Sequence, residues 1–397
     1  MVMSCAARER LVASRKQEIS VLLTPDIYTW YRQKLEVCRM GFDEQRSAWM
    51  VFGYSEVQQV LLDTDTFSSE RTLKPDGSVD EILGAGMLGL DPPRHRRLRS
   101  LVAQAFTQKR VAALEPRIRE LTTALIDGMR DEEGVDIVDA LAFPLPVMVI
   151  AELLGIPAAD RDQFRSWTRD MVGTDFALRR QAFGKMAAYF DAFIAEQMRG
   201  GPKESLISDL LAAQIEGEGL SKADVVGTCL VLLVAGHETT TGLISNALWC
   251  FEEHPEARED LLRHPEMLPS AIEEVLRYRT VVHWLPRVVR KECQFLGHDL
   301  KEGDLVLPVF AAANRDGAQF PDPDRFDARR TPNRHLGFGH GIHLCLGASL
   351  ARLEARIALG ELLRCFPRMH RDEARPPVLK PSSFVFAFDH YPVRLHE

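Results

Sequence analysis

Between Ser221 and Pro255 the chain has room for a helix of about thirty residues or more. Ser221-Lys-Ala-Asp224 has the form of a capping box, in which a hydroxyl and an acid three residues on satisfy each other's backbone N–H groups. Pro255 forbids a simple continuation past His254. Such a span is long for a helix of a globular protein. Its apolar part, Val225 to Gly236, is too short to span a bilayer and fits burial inside protein. The middle of the segment then breaks local rules. Ala235-Gly236-His237-Glu238-Thr239-Thr240-Thr241 puts a glycine and three successive threonines where a helix disfavours them. Threonine can bond the carbonyl four residues back and bend a helix. Ala235 and Gly236 leave room for a small molecule, and Glu238 sets a carboxyl beside a hydroxyl. A close helix contact through small residues and a ligand-facing notch both stay open at this point.

Other helical signals surround this one. Asp91-Pro92-Pro93 reads as a cap opening a helix through Phe106. Leu114–Met129, Ala159–Met198 and Leu268–Tyr278 carry helical spacing, and Gly155-Ile156-Pro157 closes another segment. Strand signals are fewer: Ala48 to Gly53, Arg287 to Ala312 and Ser383 to Leu395, with hairpin corners at Gly297-His298 and Gly303-Asp304. There is no internal repeat and no Gly/Ser linker. The expectation is one mainly α domain, residues 1–397, with small β-sheets at its edge. With 397 residues, 46% of them hydrophobic, the chain can bury a large core. A net charge of −8 excludes a general nucleic-acid binder. The seven cysteines are odd in number, widely spaced and free of any C-x-x-C, which predicts reduced thiols and a cytoplasmic protein. The N-terminus has no uninterrupted apolar stretch of the secretory kind, and no membrane association is expected.

Cys345 is the cysteine with a context. It sits in His335-Leu-Gly-Phe-Gly-His-Gly-Ile-His-Leu-Cys-Leu-Gly347, just before a second amphipathic run. Gly339 and Gly341 permit a tight bulged turn. Gly347 removes a side chain where a flat group would lie close. A cysteine at the start of a helix is stabilised as thiolate by the backbone N–H groups there. Such a thiolate suits a nucleophile or a single metal bond. Phe-Gly-x-Gly-x-His-x-Cys-x-Gly, here Phe338 to Gly347, closely resembles the haem-binding loop of the cytochrome P-450 family. The resemblance runs from about Ala48 to Arg394.

That resemblance implies a triangular α-rich fold with haem b between the long central helix and the cysteine-loop helix. Cys345 would be the thiolate ligand of the iron. Phe338 would pack beneath the ring, and His343 would bond a propionate. His95 and Arg99, four apart on one helix face, match the family's propionate-binding pair, and Arg287 matches its strand arginine. Ala235, Gly236, Gly339 and Gly347 would lie against the cofactor. Glu274-Val-Leu-Arg277 matches the family's E-x-x-R, whose ion pair is completed by a later arginine, here taken as Arg325 of Phe320–Phe326. Thr239 would hydrogen-bond bound oxygen and an ordered water, and Glu238 would relay protons.

The resemblance also implies a monooxygenase that uses O2 and two electrons. Neither a flavin domain, a dinucleotide fingerprint nor an iron–sulfur cysteine run is present, so the electrons are expected from a ferredoxin or flavodoxin served by an NAD(P)H-dependent reductase. The family's pocket positions fall here on Ile82, Leu83, Met87 and Leu88, on Met171, Val172 and Phe176, and on Leu232 and Val234. They continue through Val281, Val282, His283, Trp284 and Leu285 to Val385 and Phe386. The set is almost wholly apolar and predicts a lipophilic substrate: a fatty acid, terpenoid or steroid. His283 is a candidate for fixing a polar end, and Arg71, Lys74, Arg179 and Arg180 for holding a carboxylate. Arg94, Arg96, Arg97, Lys109 and Arg110, with Arg329, Arg330, Arg334, Arg352 and Arg356, would form a basic face for an acidic electron donor. A monomer is expected. A peroxygenase or isomerase, a haem sensor, and a hydrolase using Cys345 with His343 are the competing readings.

Overall fold

The computed structural model describes residues 23–24, 26–70, 86–172, 175–200, 205–215 and 218–396. Backbone contacts divide the chain into two compact units. The first gathers Met1–Glu70, Ser270–Cys345 and Leu379–Phe386; the second gathers Arg71–Pro269, Leu346–Val378 and Ala387–Glu397.

The first unit is built on a five-stranded sheet. Its order is Met40–Asp43, Ala48–Val51, Leu305–Pro308, Arg287–Val289 and Phe67–Ser68. Ala48–Val51 pairs antiparallel with Met40–Asp43 and parallel with Leu305–Pro308. Side chains alternate across a strand, and both faces here are apolar. Ala48 and Met50 pack with Tyr28, Tyr31 and Phe386 on one side. Val51 packs with Val57, Val306 and Phe320 on the other. The helix Ile27–Val37 and the short helix Phe310–Ala313 supply much of the first of these cores. The predicted hairpin forms as Cys293–Phe295 paired with His298–Leu300. Leu296 and Gly297 turn its corner at φ 52° and 80°, the mirror-image geometry that suits the right-handed twist of the strands.

The second unit is helical. The capping box is made: Ser221 Oγ accepts from the Asp224 N–H at 3.1 Å, and the Ser221 N–H donates to the Asp224 carboxylate at 3.0 Å. The helix runs Lys222–Glu253 and stops before Pro255. It is long and apolar enough to cross a membrane, as the buried core helix of a globular protein also can be, and 56% of its most apolar window is buried in protein. Pro144–Leu154, Phe176–Gly200 and Ala348–Cys365 pack around it. Arg94–Ala105 opens just after the two prolines, and Leu268–Tyr278, which belongs to the first unit from Ser270 on, matches its predicted bounds. The segment Ser383–Leu395 is less regular than expected. It yields only Phe388–His390 and Pro392–Arg394, plus a bridge from Val385 to Val282 in the first unit.

One buried carboxyl of the second unit stands apart. Glu354 lies on Ala348–Cys365 and is 2% exposed. Its Oε2 has no hydrogen-bond donor among the described residues. Burial alone pushes its pKa up to about 8 from an ordinary 4.5. Between those values the unfolded chain releases a proton that the folded protein keeps, so this group lowers stability as pH rises. Glu354→Gln, neutral at every pH, is therefore expected to raise the melting temperature at pH 8 by several degrees. At pH 4.5 the difference should be small; a gain independent of pH would show that burial is not the cause.

Candidate active site

The cysteine loop belongs to the first unit and closes on its own backbone. The Cys345 N–H donates to Phe338 O at 2.9 Å, and the Gly339 N–H donates to Leu336 O at 2.9 Å. Gly339 and Gly341 adopt φ of 74° and 68°, where other residues are strained. A Cβ on Gly341 would also meet Leu61 O at 2.8 Å. Gly341–His343 forms a single 3-10 turn, and Cys345 itself is exposed. The His343 ring Nε2 lies 3.0 Å from Ser69 Oγ. Ser69 follows the strand Phe67–Ser68, which pairs with Arg287–Val289 so that Ser68 faces Val288. The structure thus sets an unforeseen serine against His343. Arg287 is 5% exposed.

The loop is anchored from behind by a carboxylate. Glu274 and Arg277 are wholly buried and paired through two bonds of 2.8 Å, Nε to Oε2 and Nη2 to Oε1. The second guanidinium is not that of Arg325. Arg330 Nε reaches both Glu274 oxygens at 3.2 Å, and the Asp327 N–H and the Asn333 amide complete the set at 2.9 and 3.2 Å. Arg325 contributes only its backbone carbonyl, which accepts from Arg277 and Arg330. Its side chain is exposed. Residues Pro321 to Asn333 wrap around the carboxylate, and this wrapping turns Arg330 inward and Arg325 outward. Arg330 is therefore not part of any basic docking face: its side chain is 9% exposed.

Asn314, which no sequence pattern marks, joins this anchor to the loop. Its carbonyl accepts from Arg277 at 2.8 Å, its amide donates to Thr280 at 2.9 Å, and its side-chain oxygen accepts from the Leu336 N–H at 2.7 Å. His335 adds a bond to Glu273 at 3.1 Å.

His283 is corrected as a pocket residue. Its Nδ1 is 2.9 Å from the Tyr31 hydroxyl and its Nε2 is 3.3 Å from that of Tyr28. The ring stacks on Phe386 with an interplanar angle of 10°. Both His283 and Phe386 are core of the first unit, at 0% and 1% exposure. In the extended segment from Val281, alternate residues face opposite ways, and His283 takes the face that meets the tyrosines. Burial first, then Arg279, pushes its pKa down to about 3, so it stays neutral and offers a substrate no charge.

The second unit carries the other predicted residues. Ala235 is exposed, and Gly236, Glu238 and Thr239 are half-buried, within a helix that is otherwise largely buried. Thr239 donates to Ala235 O at 2.7 Å, Thr240 to Gly236 O at 2.8 Å and Thr241 to His237 O at 2.9 Å. His95 and Arg99 lie one turn apart on Arg94–Ala105, with His95 buried and Arg99 half-buried. Met87 is buried, and Leu88, Leu232 and Val234 are half-buried. Ile82, Leu83, Arg71 and Lys74 lie outside the described residues, as do the side chains of Val172 and Phe176. Arg96 and Arg97 are exposed, whereas Arg110 pairs with Asp209 and Arg356 with Glu115.

A family model described as Cytochrome P450 matches residues 24–154, 147–264 and 258–394. The chain belongs to the cytochrome P450 family. It is 42% identical to a putative cytochrome P450, YjiB, of Bacillus subtilis, over 86% of this chain and 88% of that one. It is 38% identical to the vitamin D(3) 25-hydroxylase of Pseudonocardia autotrophica, over 81% of each. The crystal structure of CYP109E1 from Bacillus megaterium with corticosterone superposes at a TM-score of 0.86, with 39% identity, over 93% of this chain and 98% of that one. The P450 is accordingly an oxidoreductase of the monooxygenase class with the P450 fold, and its family's cofactor is a haem held by a cysteine thiolate. The residues of this chain fit that group. An exposed thiol stands on a loop braced by two left-handed glycines, and a Cβ on Gly347 would meet nothing within 4 Å.

The anchor predicts a contrast between two arginines of the P450. Arg330→Ala leaves a buried carboxylate short of a partner and is expected to cost about 2 kcal/mol or more. Arg325→Ala should stay within about 0.5 kcal/mol, because only its backbone takes part. Urea unfolding of both variants measures the difference, and equal losses would contradict the assignment.

Proposed function

We propose that this P450 hydroxylates a lipophilic small molecule, with Cys345 as the iron ligand. The observation that carries the reading is the cysteine loop, closed from Cys345 N–H to Phe338 O with Cys345 exposed on it. Haem bound through a thiolate supplies the oxygen-activating chemistry, since the sulfur pushes electron density that favours O–O cleavage. The rest falls to this chain's own groups. Phe338 shields the sulfur side. His343, Arg287, His95 and Arg99 supply donors to the cofactor's two carboxylates, which need pairing once buried. Ala235, Gly339 and Gly347 keep side chains out of the cofactor's way, whereas the missing side chain of Gly236 makes room for Ile150 instead. Thr239 already donates its proton to Ala235 O, so its oxygen is left to accept from a water and hold that water in place. Glu238 is next in the chain and half-buried, suited to pass protons inward from solvent. Such a hydroxyl-and-acid pair favours the monooxygenase over a peroxide-only enzyme, which would not need protons delivered from solvent.

Electrons would come from a ferredoxin or flavodoxin, with exposed Arg96 and Arg97 among the groups that attract it. The substrate reading rests on apolar positions: Met87, Leu232, Val234 and Val385. Relatives named for vitamin D(3) hydroxylation, or crystallised with corticosterone, support a steroid-sized lipophile.

Two measurements test this. Dithionite-reduced protein under carbon monoxide should show the strongly red-shifted Soret band of thiolate-ligated haem, and Cys345→Ser should abolish it. Retention of that band in Cys345→Ser would reject Cys345 as ligand. Titration of ferric protein with steroids, terpenoids, fatty acids and polar aromatics should give a low- to high-spin shift with the lipophiles. A shift confined to the polar compounds would reject the substrate class.

A further inference from the structure

We infer that His237, the residue between Gly236 and Glu238, is a positioning residue that sets where Thr239 and Glu238 stand, by clamping the back of the helix. This rests on the roles proposed above for Thr239 and Glu238.

The two faces of the helix do different work. Ala235 and Thr239 are four apart and share the more open face. His237 and Thr241 are four apart as well, two residues out of step and so roughly 200° round the helix. His237 is 0% exposed and Thr241 is 6% exposed. The His237 Nδ1–H donates to Leu233 O at 2.8 Å. Its ring meets Phe143 edge to face, with centroids 5.5 Å apart at 87°. The Thr241 hydroxyl lies 2.9 Å from both His237 O and Ala142 O. Ala142 ends the π-helical turn Val138–Ala142, and Phe143 follows it. A Cβ on Gly236 would come within 2.7 Å of Ile150 Cδ1, so the backing is in close contact. The clamp extends outward: Arg169 covers the Phe143 ring at 4.9 Å and pairs with Asp139 at 2.7 Å.

The physical reason is a competition for carbonyls. The oxygens of Leu233, Ala235, Gly236 and His237 each accept a side-chain donor from four residues on. A carbonyl shared in this way lengthens its main-chain bond and bends the helix toward one side. Thr239 alone would bend it about the open face. His237 and Thr241 pull on the opposite face and tie it to Ala142 and Phe143. Without them the Thr239 hydroxyl and the Glu238 carboxyl would lose a fixed position.

The test uses the haem-loaded protein and needs neither substrate nor redox partner. Hydrogen exchange of the amides from Glu238 to Thr241 reports the helix. Air oxidation of dithionite-reduced protein reports the oxygen site, one electron passing from ferrous iron to O2 and leaving as superoxide. His237→Leu removes the donor and fills the space with an apolar side chain. Both rates should rise roughly fivefold, the effect of one lost hydrogen bond. His237→Gln keeps an N–H donor and should stay within about twofold of the parent. Thr241→Val carries the expectation of His237→Leu should the latter fail to hold haem. Unchanged exchange in His237→Leu and in Thr241→Val would overturn the clamp, as would a His237→Gln variant as impaired as His237→Leu. Faster exchange with unchanged air oxidation would uphold the clamp and reject the role given to Thr239.

Discussion

A carboxylate without access to water orders much of the first unit. Glu274 is wholly buried and takes donors from Arg277, Arg330, Asn333 and the backbone of Asp327. Such a charge contributes little net stability, because desolvation offsets most of the attraction. Its effect is geometric. Every donor must be in place at once, so residues Pro321 to Asn333 have one arrangement available to them. That segment leads directly into the cysteine loop, which is tied back to the same helix through His335 and to the same arginine through Asn314. The loop's shape is inherited from the anchor.

The second unit reaches its local geometry by the opposite route. Its long helix is specified strongly at the start by the Ser221 capping box and then loosened in the middle by its own side chains. Glycine and threonine are poor helix formers, and four of the five carbonyls from Leu233 to His237 are shared with side chains. The loosening is tolerated because the helix is buried against several neighbours. Packing holds an element whose own propensity argues against regularity.

What was legible in the sequence follows from the range of each interaction. The capping box, the turn at Gly297 and the glycine-bearing cysteine loop are local, and each was readable from a few consecutive residues. Glu274 and Arg277 were readable as a pair because they are one helical turn apart. Their third partner was not, since two arginines five residues apart in an irregular segment are equivalent until the chain is folded. His283 was misread for the same reason. Its partners, Tyr28 and Tyr31, are 255 and 252 residues away, and no local pattern announces a histidine held between two tyrosines. Ser69 and Asn314 lack any signature, because a single serine or asparagine becomes informative only when its neighbours are known.

The sheet of the first unit has a consequence for biosynthesis. Ala48–Val51 lies beside Leu305–Pro308, and Trp49 donates to Asp304 across 255 residues of chain. On a ribosome adding roughly 5–20 residues each second, the early strand emerges some tens of seconds before its neighbour exists. During that interval it presents apolar side chains on both faces and an unpaired edge. An exposed apolar strand with an unpaired edge is prone to aggregate for as long as that interval lasts. Slower translation lengthens that interval, and aggregate from the early strand is the expected failure, even though the finished protein buries Ala48, Met50 and Val51.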